Sequence, residues 1–307
     1  MGLCASRPSL SQQAASVRFA HSHLLDEHVA AVCHGLLPGQ WLSCASDGSI
    51  SLADWRGGRA VQSWRGHSRG ANQGEQEAVE ELSGHELSIS AIALSPDHDL
   101  VCSGSRDSSV RVWDLATSKA IAKCDVSRNV VTCMSWVSEQ SVVLQGSEDL
   151  RLRLWDPRAL YKPVATMEGY IYFPLACAAT GEYFLTGSNG FDGEGCELRL
   201  WDRRKLKQLC EFRGHQQAVT GVALISQGVG NSHLSPASGS KDGTLRVWDV
   251  STGSHLAEQR LPEGGASSLG AAMAEDAGEV QLYAGRWVRP RDALLWSSHA
   301  HAALLSA

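Results

Sequence analysis

A tryptophan followed by an aspartate closes four near-copies of one segment: SGSRDSSVRVWDL (103–115), QGSEDLRLRLWDP (145–157), CELRLWDRR (196–204) and SGSKDGTLRVWDV (238–250). Their tryptophans, Trp113, Trp155, Trp201 and Trp248, fall 42, 46 and 47 residues apart. A fifth copy, ASDGSISLADW, carries Ala53 in the tryptophan's place, and a weaker sixth ends in DALLWSS around Trp296. Within each unit apolar and polar residues alternate. In SSVRVWDL, Val110 and Val112 face one way and Arg111 and Trp113 the other, the period of a strand. Asp107-Ser108 and Asp242-Gly243 mark tight hairpin turns before these strands. Gly-His pairs at 66–67, 84–85 and 214–215 mark further joints. No unit can cover both faces of its own small sheet. Units at this period therefore stack as radial blades of four strands around a ring.

The rest of the composition closes off several functions. Net charge is −6 and the longest basic run is the short DRRKLK at 202–207, so nothing provides the basic surface of a nucleic-acid binder. No stretch approaches the 18 or so apolar residues of a membrane-spanning helix. Residues 1–20 lack the continuous apolar core of a cleaved signal peptide. Nine cysteines occur singly, with no C-x-x-C pair, which implies a reducing compartment rather than a disulfide framework. Cys33, Cys44, Cys102, Cys133 and Cys177 sit in apolar runs, where cysteine acts as a small hydrophobe.

On these Trp-Asp, Gly-His and Asp-turn motifs the chain resembles the WD-repeat β-propeller family over residues 25–300. The resemblance implies an all-β propeller with six recognisable blades where the family usually has seven. It also implies a hydrogen-bonded tetrad of Trp, Ser or Thr, His and Asp inside a blade. Matching positions are His85, Ser103, Asp107 and Trp113 in one repeat and His215, Ser238, Asp242 and Trp248 in another. The residue types fit such a chain of bonds. An indole N–H needs an acceptor, a serine hydroxyl accepts it and donates onward to His, and the other ring nitrogen reaches Asp. The repeat ending in Trp155 keeps Asp149 but has Gln145 for Ser, with Asn129 near the His place. The next inserts FDGEGCE between turn and strand. The first lacks the tryptophan. These three blades are expected to be softer.

Spacing fails at one place. Ala53 and Trp113 are 60 residues apart, against 42 for the next pair. The excess lies between His67 and His85, where WRGH and LSGH both read as ends of a blade's outer strand. The intervening polar text carries Glu75, Glu77, Glu80 and Glu81. Most of one blade is expected to be missing here. Residues 1–24 read as a leader whose end, ASVRFAH (15–21), supplies a ring-closing strand. Residues 25–307 read as the propeller, with a polar insert at 68–84.

Ser, His and Asp recur together, but inside every repeat rather than at one special copy, and no G-x-S-x-G elbow is present. No catalytic residue, cofactor or metal ligand is assigned. Cys210 and His215 have no second pair at zinc spacing. SNGFDGEG lacks the calcium-loop order and reads as a loop widening a blade edge. His21, His23 and His28 read as a solvated strand. What remains is surface binding. In the resembled family the residue before the tetrad Asp often points to the binding face; here these are Ser46, Arg106, Glu148 and Lys241, each equally readable as a solvated turn residue. Their mixed charge suits a protein or peptide ligand better than a phosphate backbone.

The chain thus reads as a non-enzymatic interaction scaffold that binds proteins or peptides. The alternative is a substrate-recognition subunit of a ubiquitin ligase, although residues 1–24 are too short for an F-box. The start, MGLCASR, matches the M-G-x-x-x-[ST] acylation pattern, with Gly2 as myristoyl acceptor. Cys4 would take a palmitoyl chain as the second signal that stable anchoring requires. A chance match is the other reading of this start. The location expected is the cytoplasm, on the cytoplasmic face of a membrane if the lipids are present.

Overall fold

The computed structural model describes strands from residue 18 to 300, and side chains for residues 84–261 apart from 98, 118, 138–140, 160–161 and 226–233. The architecture is all-β, with six four-stranded antiparallel sheets among the described residues. The first is β2 (Val29–His34), β3 (Gln40–Ala45), β4 (Ser49–Asp54) and β5 (Arg59–Arg65). The second is β6 (Ile89–Leu94), β7 (Leu100–Ser105), β8 (Ser109–Asp114) and β9 (Lys119–Asp125). The third is β10 (Val131–Val137), β11 (Val142–Ser147), β12 (Leu152–Trp155) and β13 (Ala165–Met167). The fourth is β14 (Pro174–Ala179), β15 (Tyr183–Ser188), β16 (Leu198–Asp202) and β17 (Lys207–Phe212). The fifth is β18 (Val219–Gln227), β19 (His233–Ser240), β20 (Thr244–Trp248) and β21 (His255–Arg260). The sixth joins β22 (Ser268–Met273), β23 (Val280–Arg289) and β24 (Asp292–Ala300) to the N-terminal β1 (Arg18–Leu25), which pairs with β24.

The first strand of each sheet packs against the first strand of the next, β2 on β6, then β10, β14, β18 and β22, and β22 returns to β2. Among the described residues, six sheets therefore follow one another around the ring. His67 and the polar insert lie outside the described residues.

The core lies between blades rather than within them. One cluster joins Ala91, Cys102, Val110 and Val112 of the second blade to Val131, Met134, Trp136 and Trp155 of the third. A second joins Leu144, Leu152 and Leu154 to Phe184 and Trp201 of the fourth. A third joins Leu185, Leu198 and Phe212 to Val219, Val222 and Trp248 of the fifth. The second to fifth blades bury their faces on one another, as repeats of this size must. The S-G-S type motif on the second strands of the second to fifth blades shows how close they come. A Cβ on Gly104 would lie 2.4 Å from Cγ1 of Val131, and one on Gly187 would lie 2.5 Å from Cγ1 of Val219. Only glycine lets the next blade's first strand approach so far. Hydroxyls stitch the same seam: Ser90 donates to Val131 O at 2.5 Å, and Thr132 donates to Pro174 O at 2.5 Å.

Candidate functional site

The turn between the second and third strands of a blade is where sequence and face meet. It requires a left-handed residue after the Asp, and φ is 69° at Ser108, 68° at Leu150 and 83° at Gly243. Glycine adopts this without strain, whereas Ser108 and Leu150 do not. Asp side chains hold the turn: Asp107 Oδ1 accepts the Ser109 N–H at 2.8 Å, and Asp242 Oδ1 accepts the Thr244 N–H at 2.9 Å. One residue earlier, a backbone bond recurs in four blades. The N–H groups of Arg106, Glu148, Asn189 and Lys241 donate to the carbonyls of Ser88, Val130, Phe173 and Ala218, at 3.1, 2.9, 3.0 and 3.0 Å. These carbonyls lie just before the first strand of each blade. The four residues are therefore equivalent and sit at the same end of consecutive sheets, on one rim of the ring.

Arg106, Glu148 and Lys241 are exposed there. Arg106 and Glu148, from adjacent blades, form an ion pair at 3.6 Å. Asn189 belongs to the same set; the insert after it hides its alignment in the sequence. Ser46, Gly2 and Cys4 lie outside the described residues.

Beneath the rim the two tetrads are closed networks. Trp113 Nε1 donates to Ser103 Oγ at 2.7 Å, His85 Nε2 lies 2.7 Å from the same oxygen, and His85 Nδ1 lies 2.9 Å from Asp107 Oδ2. In the fifth blade the distances are 2.8 Å from Trp248 to Ser238, 2.7 Å from His215 to Ser238 and 3.0 Å from His215 to Asp242. In a neutral ring, Nδ1–H donates to the carboxylate and Nε2 accepts the serine proton. A fifth member joins each set: the hydroxyls of Ser109 and Thr244 donate to Asp107 and Asp242 at 2.6 Å and lie 3.0 Å from the His Nδ1. Burial pushes the Asp107 carboxyl up. The Ser109 hydroxyl, the Glu86 and Ser109 N–H groups and His85 outweigh this and hold it well below the usual carboxylate range. Asp242 is held low against its burial in the same way, by His215, Thr244 and the Gln216 N–H.

The third and fourth blades, expected to be softer, are wired differently. In the third, Trp155 donates to Gln145 Oε1 at 2.8 Å, and Gln145 Nε2 donates to Asn129 Oδ1 at 2.7 Å. Arg153 replaces the missing imidazole link: it donates to Asn129 Oδ1 at 2.9 Å and pairs with both oxygens of Asp149. In the fourth, Trp201 donates to Thr186 Oγ1 at 3.3 Å, and Tyr170 OH lies 2.7 Å from the same atom. Arg199 lies 4.8 Å from the Tyr170 ring centroid and pairs with Glu197 at 3.0 Å. An arginine stands two residues before every one of the four tryptophans, at 111, 153, 199 and 246. That column was the available signal for these substitute members.

Aspartate, histidine and serine have the order of a hydrolytic triad, but the serines do not have its access. Ser103 and Ser238 are fully buried, and each oxygen already accepts an indole N–H. No group of three or more His, Cys, Asp or Glu that could hold a metal occurs among the described residues. Among them, no helix is long and apolar enough to cross a membrane.

Residues 76–114, 119–156 and 206–249 match the family model of the WD domain, G-beta repeat. These three segments carry the WD repeat. It is 30% identical over 177 residues to a ribosome biogenesis protein WDR12 homolog of Arabidopsis thaliana, covering 55% of this chain and 40% of the relative. To the pre-rRNA-processing protein IPI3 of Mycosarcoma maydis it is 27% identical over 168 residues, covering 55% of this chain and 24% of the relative. It thus spans well under half the length of these relatives. A crystal structure of RRP9 WD40 repeats superposes with a TM-score of 0.63 at 18% identity, over 93% of this chain and 99% of the other, which shows the shared propeller fold.

These relatives overturn the expected location. Their names refer to ribosome biogenesis and pre-rRNA processing, and they point away from the cytoplasm and from a membrane face.

Proposed function

We propose that this WD-repeat chain is a non-enzymatic scaffold that holds protein partners on one rim of its ring, within a nuclear assembly that processes ribosomal RNA precursors. The observation that carries the scaffold reading is the row of rim positions at Arg106, Glu148, Asn189 and Lys241. A repeated backbone bond fixes their spacing while leaving three of the side chains in solvent. A fixed row of mixed charge selects a protein surface through complementary charge and fixes its register. The buried, fully engaged serines support a role without covalent chemistry. The nuclear setting rests on the names of the relatives.

A finer kinship within the family follows from SRNVVT, SEDLRLRLWD and SNGFDGEGCE, which are similar to WD repeat-containing protein 31. The setting proposed follows the matched relatives instead. The test is sedimentation of the epitope-tagged chain from nuclear extract through a sucrose gradient. Comigration with ribosomal precursor particles, lost on Arg106→Glu with Lys241→Glu, is the expected result. A chain that stays in the cytosolic fraction, or sediments alone, refutes the proposal.

A further inference from the structure

The insert in the fourth blade does more than widen an edge. It is a folded loop. Phe191 and Glu194 exchange backbone bonds at 2.9 and 3.0 Å, Gly193 N donates to Gln216 O of the fifth blade at 3.0 Å, and Phe191 bridges to Gln217. Asp192, Gly193 and Gly195 take left-handed φ values of 52°, 80° and 67°. The loop is thereby pinned across the seam between the fourth and fifth blades, at the end of the sheets that carries the rim. A Cβ on Gly195 would lie 2.1 Å from the Tyr172 ring, so the ring packs directly against that glycine.

This construction displays apolar groups. Phe191 is 59% exposed and meets Tyr172 edge-on, with centroids 6.4 Å apart and planes at 87°. Ile171 beside them is 78% exposed. The residue following the tetrad His in the second and fifth blades is polar, Glu86 or Gln216; at the matching place after Tyr170 stands Ile171. The loop itself carries two carboxylates. Asp192 and Glu194 are exposed, and burial together with the carboxylates of Glu197, Asp242 and Asp192 pushes the neighbouring Cys196 thiol up.

We infer that Ile171, Tyr172 and Phe191, framed by Asp192 and Glu194, form a docking site for a peptide segment of a partner protein that carries an apolar anchor flanked by lysine or arginine. The inference rests on the rim as a protein-binding face and adds a second, chemically distinct contact to it. A pre-ordered loop loses little freedom on binding, exposed aromatics are the residues that anchor interfaces, and the paired carboxylates choose the basic flank. The same carboxylates repel a phosphate backbone.

A random dodecapeptide display library, selected on the intact chain, tests this. Enriched peptides should carry one Trp, Phe or Leu with neighbouring Lys or Arg. Phe191→Ala should weaken their binding at least tenfold by fluorescence anisotropy, with an unchanged melt. Asp192→Asn with Glu194→Gln should weaken it several-fold and flatten its salt dependence. Arg106→Glu with Lys241→Glu should leave it nearly intact. Enriched peptides that ignore Phe191→Ala but need Arg106 and Lys241 would overturn this site and leave the rim standing. No enrichment at all would overturn this site and leave the rim to the capture of whole partners. A labelled 12-nucleotide oligouridine that binds the chain, and binds the Asp192→Asn, Glu194→Gln form more tightly, would replace the peptide with RNA and overturn the inference.

Discussion

Ser103→Ala removes one oxygen from the centre of a buried network. Ser103 is fully buried and Trp113 is 2% exposed, so water cannot take the oxygen's place without opening the blade. The Trp113 N–H loses the acceptor at 2.7 Å, and His85 Nε2 loses the donor at 2.7 Å. A buried donor left unsatisfied costs about 1–3 kcal/mol, and one lost hydrogen bond a further 0.5–1.5 or so, giving about 2–4 kcal/mol. Across 307 residues, an unfolding entropy of about 2.1 cal/mol/K per residue turns this into a fall in Tm of about 3–6 °C. A double-mutant cycle with Trp113→Phe isolates the indole bond. In the Phe background Ser103→Ala should cost only the His85 part, leaving a coupling of about 1–3 kcal/mol. Calorimetry, and urea titration followed by far-ultraviolet dichroism, measure both quantities. A cost for Ser103→Ala below about 0.5 kcal/mol, or equal costs in the two backgrounds, would refute the reasoning that the tetrad is a closed, water-free chain.

Asp107 and Asp242 bind fewer protons in the folded chain than in the unfolded one, because both carboxyls are held low. Their contribution is present above the unfolded carboxylate range and drains away as pH falls through and below about 4. Acid titrations of stability should show Asp107→Asn with a shallower acid limb than the native chain. Arg153→Ala strips Asp149, whose side chain is 11% exposed, of its bidentate partner and leaves it Arg151 at 4.0 Å; it should cost up to about 3–5 kcal/mol, read by urea titration, whereas Arg151→Ala, half exposed beside it, should cost under about 1 kcal/mol. Leu150 holds the left-handed turn position that Gly243 fills in the fifth blade; Leu150→Gly should therefore be neutral or stabilising by up to about 1 kcal/mol, unlike glycine at an ordinary strand position, and a melting curve decides it.

Strand alternation, the Asp-turn and the Trp-Asp closure made the blades and the two complete tetrads readable, because each is written in one repeat and copied in the next. What could not be read was anything made by two repeats together. The inter-blade seam at Gly104 and Val131 joins residues 27 positions apart in the sequence, and a glycine shows no sign of what approaches it. Arg153 and Arg199 read as the polar side of an alternating strand; their burial against Asp149 and Tyr170 follows from substitutions elsewhere in the blade. Asn189 was lost behind the insert, and the insert read as a blade-edge loop because its hydrogen bonds run to the neighbouring blade's Gln216. Location was the one expectation the relatives reversed: an N-terminal pattern that any short stretch can match weighs less than similarity spread over 177 residues.

Partner capture from nuclear extract, quantified for the native chain and for Arg106→Glu with Lys241→Glu, tests the scaffold most directly. Exposed changes of this kind should shift stability by no more than about 0.5 kcal/mol each, so any loss reports the surface and not the fold. The expected result is that the protein partners retained by the native chain fall several-fold with the variant, while both melt together. Equal recovery of the same partners by both chains would contradict a binding rim at these positions.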